Sequence, residues 1–352
     1  MSDQGPKPLL SVVVPTYNRA DDLATLLGSL QAEQHRLDIV VVDDCSPNPA
    51  VYDDLKTRHP HVRFIRQATN RGPAAARNRG AREAKCELLF FIDSDTAVVE
   101  GTIDTILRIY REHPDFVVCC GTCDKRPIND GLFAHYKALL EASWVADRRG
   151  RITYISHVGS RAFTIKRSVM LGLGGFNETL PTPDVEDYEF GYRLHKEHGP
   201  IPFCAEILVR HRYDTLWTQA RLYFRRVIMW WGLRDMSKGA DAVGSTAKEA
   251  TVAVLSSLAT ASFAFGLVMP MMFWVASLLA VAAIVLNRRF LASCLRERGL
   301  LFAVTALSIH TFLSWFICAG ASVAFVRSSI GKIGWSEPHA PESKVLETGD
   351  VV

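Results

Sequence analysis

The chain has 352 residues, of which 48% are hydrophobic and 22% are charged. A chain of this length and composition can bury a full core, so a largely disordered protein is excluded. The net charge of +3 is too close to neutral for a protein that binds a polyanion through bulk charge, and we predict no nucleic-acid partner.

Short apolar strands alternate with amphipathic helices through the first part of the chain. Helices are predicted over residues 20–31, 52–58 and 73–85, and strands over residues 10–14, 38–42, 62–65 and 87–92. Strands separated by helices predict a mostly parallel, doubly wound α/β sheet flanked by helices. Ligands of such sheets bind beyond the carboxyl ends of the strands.

Polar and acidic residues follow the predicted strands at these ends. Asp43 and Asp44 follow the second strand, and Asp93 and Asp95 follow the fourth. No G-x-G-x-x-G loop follows the first strand, which disfavours a dinucleotide-dependent oxidoreductase. Carboxylates repel a diphosphate unless a divalent cation bridges them, and the spacing Asp93-x-Asp95 offers hard oxygen ligands for Mg²⁺ or Mn²⁺.

Six sequence blocks in this order closely resemble glycosyltransferase family 2 of the GT-A fold. They are VVVPTYNR, IVVVDDCS, NRGPAAARNRG and LLFFIDSD in the first hundred residues, then GGFNE from residue 174 and VEDYEFGYRL from residue 185. The resemblance covers residues 9–215. It implies a nucleotide-diphosphate-sugar donor and Mg²⁺ or Mn²⁺ as cofactor.

The resemblance also implies which residues surround the donor. The nucleotide-binding set is Pro15, Thr16, Tyr17, Asp43, Asp44, Arg77, Asn78 and Asp93. Within this set Asp44 is expected to hydrogen-bond the base, and either uracil N3–H or a guanine N–H would suit a carboxylate acceptor. Asp95 is expected to ligate the metal, and His211 is a second metal ligand because many relatives carry a histidine in this region.

The acceptor side is expected at Glu186 and Asp187. An acceptor hydroxyl is a poor nucleophile until a base removes its proton. The matching aspartate of the family is the general base of an inverting displacement, so Asp187 is predicted to be the base and Glu186 to orient the acceptor. Glu186 and Asp187 come shortly after Thr182, Pro183 and Asp184, and such a sequence is also typical of the N-terminus of a helix. Arg161 stands where relatives often have a G-N pair and could meet a phosphate on a lipid carrier.

The mean hydropathy of +0.08 reflects apolar segments near the C-terminus. No Asp, Glu, Lys or Arg occurs in residues 251–286 or 299–326. Basic residues flank the first stretch on both sides, which favours an even number of crossings, with a hairpin turn near Met269 and Pro270. We predict three transmembrane spans, at about 249–268, 270–287 and 300–326, separated by a basic loop after residue 287.

These patterns divide the chain into four parts. They are a GT-A domain at 1–215, an amphipathic interfacial helix and linker at 216–246, a transmembrane region at 247–327 and a flexible tail at 328–352. Tryptophans and arginines alternate in residues 216–236, as suits a membrane interface. The N-terminus shows no signal peptide, so we expect the GT-A domain on the cytoplasmic side of the membrane.

The resulting hypothesis is an inverting, metal-dependent glycosyltransferase. It would move a sugar, with a UDP-sugar as the favoured donor, to a hydroxyl or phosphate of a lipid or lipid-linked glycan at the cytoplasmic membrane face. Two alternatives are a nucleotidyltransferase on a similar sheet and a catalytically silent membrane scaffold. A nucleotidyltransferase usually has a glycine-rich basic loop after its first strand, and intact Asp44, Asp93, Asp95 and Asp187 weigh against a scaffold.

Overall fold

The structure is a computed structural model that describes residues 7–180, 185–232 and 247–330. Three predicted features lie outside these ranges. They are the helix-start residues 182–184, the linker at 233–246 and the tail beyond residue 330.

The first half of the α/β domain alternates strands and helices as predicted. Its helices are α1 (Ala20–Leu30), α2 (Asp53–Arg58) and α3 (Gly72–Glu83). Its strands are β1 (Leu10–Thr16), β2 (Leu37–Asp43), β3 (Arg63–Arg66) and β4 (Leu88–Phe91). β1 pairs in parallel with β2 and β4, and β2 pairs in parallel with β3. The doubly wound arrangement therefore holds for this half.

The second half adds antiparallel pairs to the sheet. Its helices are α4 (Thr102–Glu112), α5 (Leu132–Trp144), α6 (Arg167–Gly172) and α7 (Glu186–His198), and its strands are β5 (Thr96–Val98), β6 (Val118–Cys123), β7 (Thr153–Ile155), β8 (Phe163–Lys166) and β9 (Ile201–His211). β8 is antiparallel to both β4 and β6, whereas β9 is parallel to β6. Within the described ranges the strands form one mixed sheet in the order β3-β2-β1-β4-β8-β6-β9-β5, with β7 on β9. This sheet with its flanking helices confirms the predicted α/β fold class.

Both faces of the sheet are buried. Val12 on β1 belongs to the apolar cluster that contains the α1 residues Leu23 and Leu26. Val13, which points to the opposite face, belongs to a second cluster with Phe91 and residues of α3 and α7. A strand that is covered on both sides reads as a continuous apolar run, which is why residues 10–14 were recognisable in the sequence.

Helix α7 lies unusually close to the segment before β8. Gly191 makes this possible, because a Cβ at that position would lie 2.7 Å from the Cα of His157 and closer still to the backbone of Val158. The close approach brings the N-terminus of α7, with Glu186 and Asp187, against the residues that follow Val158. A missing side chain in the middle of a helix thus positions two candidate site residues.

Among the described residues, four helices follow the sheet. They are α8 (Leu216–Gly232), α9 (Ala247–Gly266), α10 (Met272–Leu286) and α11 (Arg288–Ser329). In the described part of the chain, α9 and α11 are long and apolar enough to cross a membrane. Helix α10 has 15 residues, or about 22 Å at 1.5 Å per residue, which is shorter than a hydrocarbon core of about 30 Å. The α9–α10 turn contains Met269 and Pro270, as predicted.

The basic loop predicted after residue 287 is in fact helical. It forms the first limb of α11. This limb ends at Gly299, where φ 82° and ψ 179° interrupt the helix. This limb contacts the α/β domain, since Arg289 pairs with Asp147 at 2.8 Å and Glu297 pairs with Lys125 at 2.6 Å. Its positive charge is therefore partly engaged by the α/β domain rather than exposed in a free loop.

The C-terminal helices pack against the α/β domain through α5. The Tyr136 hydroxyl lies 3.0 Å from Nδ1 of His310 on α11, and the Tyr136 ring meets Phe290 on the first limb of α11. Helix α8 runs beside the second limb of α11, where the ring centroids of Trp217 and Phe316 are 5.6 Å apart. The interfacial position predicted for α8 remains a prediction, while its contact with α11 is observed.

The substitution Gly191→Ala is expected to lower the stability of the protein. The new methyl group would overlap backbone atoms that cannot rotate away, and overpacking of this kind costs about 1–3 kcal/mol. The matched control is Gly28→Ala, on the exposed face of α1, where a Cβ meets no atom of the described residues within 4 Å. Thermal unfolding of the full chain in detergent would show a lower Tm for Gly191→Ala alone. Equal Tm values for the two variants would contradict the close approach.

Candidate active site

A cavity of about 310 Å³ lies between the sheet and α8. Residues from β6, β9, α5, α7 and α8 contribute to its wall. Among the residues predicted from the sequence, the cavity collects Asp93, Asp95, Asp187 and His211. These four are separated by up to 118 positions in the chain, counted from 93 to 211, so the fold is what brings them together.

Asp95 and His211 lie side by side because β5, directly after Asp95, pairs with the end of β9. The carboxylate oxygen Oδ1 of Asp95 is 3.4 Å from Nε2 of His211, and Oδ2 is 3.0 Å from Nη1 of Arg19. Burial alone would raise the pKa of Asp95. The charges of His211, Arg19 and Arg161 outweigh this effect and hold the pKa at about 2. Asp95 therefore carries a negative charge at neutral pH.

The pair formed by Asp95 and His211 fits a divalent cation. Asp95 Oδ1 and His211 Nδ1 are buried and form no hydrogen bond with any part of the chain that the structure describes. No group of three or more His, Cys, Asp or Glu side chains suited to a metal occurs among the described residues. A cation held here would therefore need further ligands from phosphate oxygens or water, as Mg²⁺ sites commonly do.

Arg77 connects Asp93 to helix α7. Its Nη2 donates to Asp93 Oδ1 at 2.6 Å and its Nη1 donates to Glu186 Oε1 at 2.9 Å, while only 4% of the side chain is exposed. Burial would lower the pKa of Arg77, but the two carboxylates raise it above the ordinary value. From its sequence motif, Arg77 is predicted to border the nucleotide. The structure places its guanidinium between two acids.

Glu186 and Asp187 are adjacent in sequence but differ in environment. Asp187 lines the cavity, and its carboxylate accepts hydrogen bonds from the backbone N–H of Ser160 at 3.1 Å and of Tyr188 at 2.9 Å. Glu186 is buried against Arg77. Burial and the neighbouring Asp187 raise the pKa of Glu186, and Arg77 opposes that rise. Of the two, Asp187 is the carboxylate that a molecule in the cavity can reach.

The residues predicted to hold the nucleoside form a second cluster, outside the cavity wall. Asp44 accepts three hydrogen bonds, to Oδ1 from Gln67 Nε2 at 2.6 Å and Arg71 N at 2.9 Å, and to Oδ2 from Gly72 N at 2.7 Å. Burial raises the pKa of Asp44, and these hydrogen bonds oppose the rise. Asp43 is turned inward, where it accepts from Ser46 and Arg66.

The end of β1 connects the two clusters. The backbone oxygen of Thr16 accepts from the N–H of Asp44 at 2.9 Å. Pro15 and Thr16 are buried in β1, whereas Tyr17 is exposed. Arg19, a few residues later, reaches Asp95. The chain after β1 therefore passes from the predicted nucleoside pocket to the predicted metal site.

Asn78 has an observed role in a turn. Its side-chain amide accepts from the N–H of Phe176 at 2.8 Å and donates to the Phe176 carbonyl at 2.9 Å and to Glu178 at 2.8 Å. Gly175 adopts φ 76° in the same turn, and a Cβ there would overlap the Asn78 side chain. These bonds join α3 to the GGFNE block. The predicted contact of Asn78 with the nucleotide stays a prediction.

Several residues around the cavity were not expected from the sequence. They are Arg19, Lys137, Glu141 and Tyr213. Lys137 and Glu141 are four positions apart on α5, which is the spacing of a helical ion pair. That spacing is common on exposed helix surfaces, so it does not by itself indicate a buried pair beside a cavity.

The chain is similar in sequence to known glycosyltransferases. Residues 11–170 match the family model described as "Glycosyl transferase family 2". An uncharacterized glycosyltransferase from Haemophilus influenzae is 30% identical over 199 residues, which are 55% of this chain and 65% of that protein. A pre-mycofactocin glycosyltransferase from Mycobacterium tuberculosis is 27% identical over 58% of this chain and 43% of its own length. The chain thus spans between two fifths and two thirds of these relatives.

A solved structure shares the fold over nearly the whole chain. The mannosyltransferase PcManGT from Pyrobaculum calidifontis, solved in complex with GDP-Man and Mn²⁺, superposes with a TM-score of 0.53. The match covers 95% of this chain and 89% of PcManGT at 17% sequence identity. At this identity the similarity concerns the fold, and its extent includes the helices after the sheet.

Replacing Asp95 by Asn is expected to weaken Mn²⁺ binding by at least about tenfold, because even the loss of an outer-shell partner commonly costs that much. Electron paramagnetic resonance of free Mn²⁺, titrated with the full chain with and without UDP, measures this directly. The control is Asp104→Asn, an exposed acid on α4 that pairs with Arg36. If Asp95→Asn and Asp104→Asn bind Mn²⁺ alike, the cation site lies elsewhere.

Proposed function

Because residues 11–170 match the family model of glycosyltransferase family 2, we propose that this chain is a member of that family and transfers a sugar from a nucleotide-diphosphate donor to an acceptor, with inversion at the anomeric carbon. The observation that carries the proposal is the position of Asp95 and Asp187 on the wall of one cavity. The carboxylate of Asp95 is suited to bind a cation, and the carboxylate of Asp187 is accessible to an acceptor molecule. A transferase needs both groups within reach of a single anomeric centre.

On the donor side, the proposal assigns the nucleotide to the pocket at the ends of β1 and β2. Pro15, Thr16 and Tyr17 would line the nucleoside, and Asp44, backed by Asp43, would accept a hydrogen bond from the base. Asp93 would approach the ribose or the sugar. Arg77 and Asn78 would act from behind this pocket, since both side chains are almost fully buried and bound to protein groups.

The hydrogen bonds of Asp44 favour uracil over guanine. An ionised carboxylate offers about four acceptor positions, and three are filled by Gln67, Arg71 and Gly72. One position therefore remains, on Oδ2. Uracil presents a single donor at N3–H, whereas guanine presents N1–H and the neighbouring amino group together. A guanine would leave one donor without an acceptor on Asp44, so a UDP-sugar is the proposed donor.

The proposal assigns Asp95 and His211 to a divalent metal, Mn²⁺ or Mg²⁺. Mn²⁺ and a nucleotide sugar are present in the structure of PcManGT, which shares the fold. When bound, such a cation neutralises the diphosphate that leaves the sugar. The protein's own part is to hold the Asp95 carboxylate through Arg19, whose Nη1 lies 3.0 Å from Asp95 Oδ2, and to leave its Oδ1 available.

On the acceptor side, Asp187 is the proposed general base. It would take the proton of the acceptor hydroxyl as that oxygen attacks the anomeric carbon and the diphosphate departs from the opposite face. The N–H groups of Ser160 and Tyr188 hold the carboxylate in one orientation. Glu186 fixes the start of α7 through Arg77 and so orients its neighbour.

The acceptor is proposed to be a lipid or a lipid-linked glycan at the cytoplasmic membrane face. Gln219 and Leu222 of α8 form part of the cavity wall, and α8 packs beside α11. Large apolar side chains on the C-terminal helices are exposed, among them Trp274 at 82% and Leu301 at 82%. Exposed apolar surface of this extent suits a membrane, and the cavity lies next to the helices that carry it.

Asp187→Asn is expected to lower the rate of sugar transfer by about 10²–10⁴-fold, because the amide cannot accept a proton. Binding of UDP with Mn²⁺ should change little, since the residue lies on the acceptor side. The assay is a nucleotide-sugar panel with membrane lipid extract as acceptor and mass detection of products. Asp104→Asn serves as the control. A full transfer rate in Asp187→Asn, or a product with retained configuration, would exclude this mechanism.

UDP is expected to bind more tightly than GDP, by about tenfold or more, because an unsatisfied buried donor costs about 1–3 kcal/mol. Calorimetric titration of the full chain with each nucleotide and Mn²⁺ measures the ratio. Asp44→Ala should weaken UDP binding and reduce the preference, while Asp104→Ala should change neither. Equal or tighter GDP binding would contradict the proposed donor.

A further inference from the structure

A buried group of charges lies beside the cavity, on the side of α8. The carboxylate of Glu141 on α5 forms an ion pair with Lys137 Nζ at 3.0 Å and accepts hydrogen bonds from Arg161 Nη1 at 2.8 Å and from the Tyr213 hydroxyl at 2.9 Å. Lys137 also donates to the Tyr223 hydroxyl of α8 at 2.8 Å. This group, here named the Glu141 cluster, therefore connects the α/β domain to the first of the C-terminal helices.

The Glu141 cluster holds two cations for one carboxylate. Lys137 and Glu141 are almost fully buried, while Asp95 on the same cavity wall lies within electrostatic range of Arg161. Tyr213 stays neutral, since burial raises its pKa well above the ordinary value. An anion placed against the cluster would balance its charge.

Arg161 offers the contacts that such an anion needs. Its side chain keeps 36% exposure and lines the cavity. Only Nη1 hydrogen-bonds within the described residues, to Glu141, so the other N–H groups of the guanidinium have no hydrogen-bond partner there. A guanidinium has five N–H donors in a planar fork that matches phosphate and carboxylate oxygens. Glu141 and Lys137 hold that fork in place.

The position of Arg161 is next to the proposed base. Its neighbour Ser160 donates its N–H to Asp187 at 3.1 Å, and Gln219 of α8 belongs to the same cavity wall. Asp44, at the proposed nucleoside pocket, is not part of that wall. An anion on Arg161 would therefore lie near the hydroxyl that Asp187 deprotonates.

We propose that Arg161, supported by Lys137 and Glu141, binds a phosphate group that the acceptor carries next to its reacting hydroxyl. The inference rests on the proposed function for the identity of Asp187 as the base, and it narrows the acceptor to a phosphate-bearing molecule. The donor diphosphate has the same chemistry, and the experiment is designed to separate the two sources.

The test uses the full chain in detergent and three probes in ligand-observed NMR titrations. Butyl phosphate represents the acceptor phosphate, butyrate represents a carboxylate of similar size, and UDP with Mn²⁺ represents the donor. The variants are Arg161→Gln, which removes the charge, and Arg161→Lys, which keeps it. The control is Arg108→Gln, an exposed arginine on α4 that pairs with Glu112.

Arg161→Gln is expected to weaken butyl phosphate binding by about tenfold or more, with a smaller loss in Arg161→Lys and none in Arg108→Gln. UDP·Mn²⁺ binding should stay within about threefold in all variants. This last comparison also shows whether Arg161→Gln is folded.

Three results would overturn the proposal. They are equal binding of butyl phosphate by Arg161→Gln and the parent chain, binding of butyrate as tight as that of butyl phosphate, and a loss of UDP·Mn²⁺ binding as large as the loss of butyl phosphate. The last result would assign Arg161 to the donor diphosphate. Absence of any sugar transfer by the parent chain would instead refute the proposed function, because the butyl phosphate titration needs neither nucleotide nor turnover.

Discussion

The buried ion pairs of Arg77 are the interaction on which the geometry of the site depends. One guanidinium, almost out of contact with water, binds Asp93 at the end of β4 and Glu186 at the start of α7. Loss of either carboxylate would remove one of the two partners of a buried guanidinium, which is destabilising. The distance between the end of β4, near Asp93, and the start of α7, which carries Asp187, is therefore fixed by the guanidinium of Arg77. Gly191 provides the second condition, because only a glycine lets α7 approach closely enough.

A second constraint joins the α/β domain to the helices that follow it. Helix α5 contributes Tyr136 to the contact with α11 and Lys137 to the contact with α8. Because these residues are adjacent in the chain, a shift of the C-terminal helices would displace the part of α5 that carries Lys137, which lines the cavity. The cavity wall thus includes a helix that packs on an apolar helix, and this packing is the physical basis for the proposal that the acceptor comes from a membrane.

The sequence predicted the fold better than it predicted the contacts. Residues 10–14 were recognisable as a strand because both faces of β1 are buried, and the leucines of α1 showed the helical spacing of its buried face. The antiparallel strand β8 was not anticipated, because strand direction depends on the connections and leaves no mark in a four-residue run. For the first limb of α11 the sequence predicts a loop, because its arginines indicate an exposed segment. The limb is helical, and its ion pairs to Asp147 and Lys125 are tertiary contacts that the sequence does not reveal.

For the site, the sequence by itself determined which chemical groups are present and at which strand ends they stand. Asp44, Asp93, Asp95 and Asp187 could be named from local motifs, because those motifs are short and contiguous. Only the tertiary structure decided that Arg77 pairs with two acids, that His211 lies beside Asp95, and that Arg161 belongs to a buried cluster with Glu141. The physical reason is that charge pairing and burial act between residues distant in the chain, and their strength depends on distances that only the folded chain establishes.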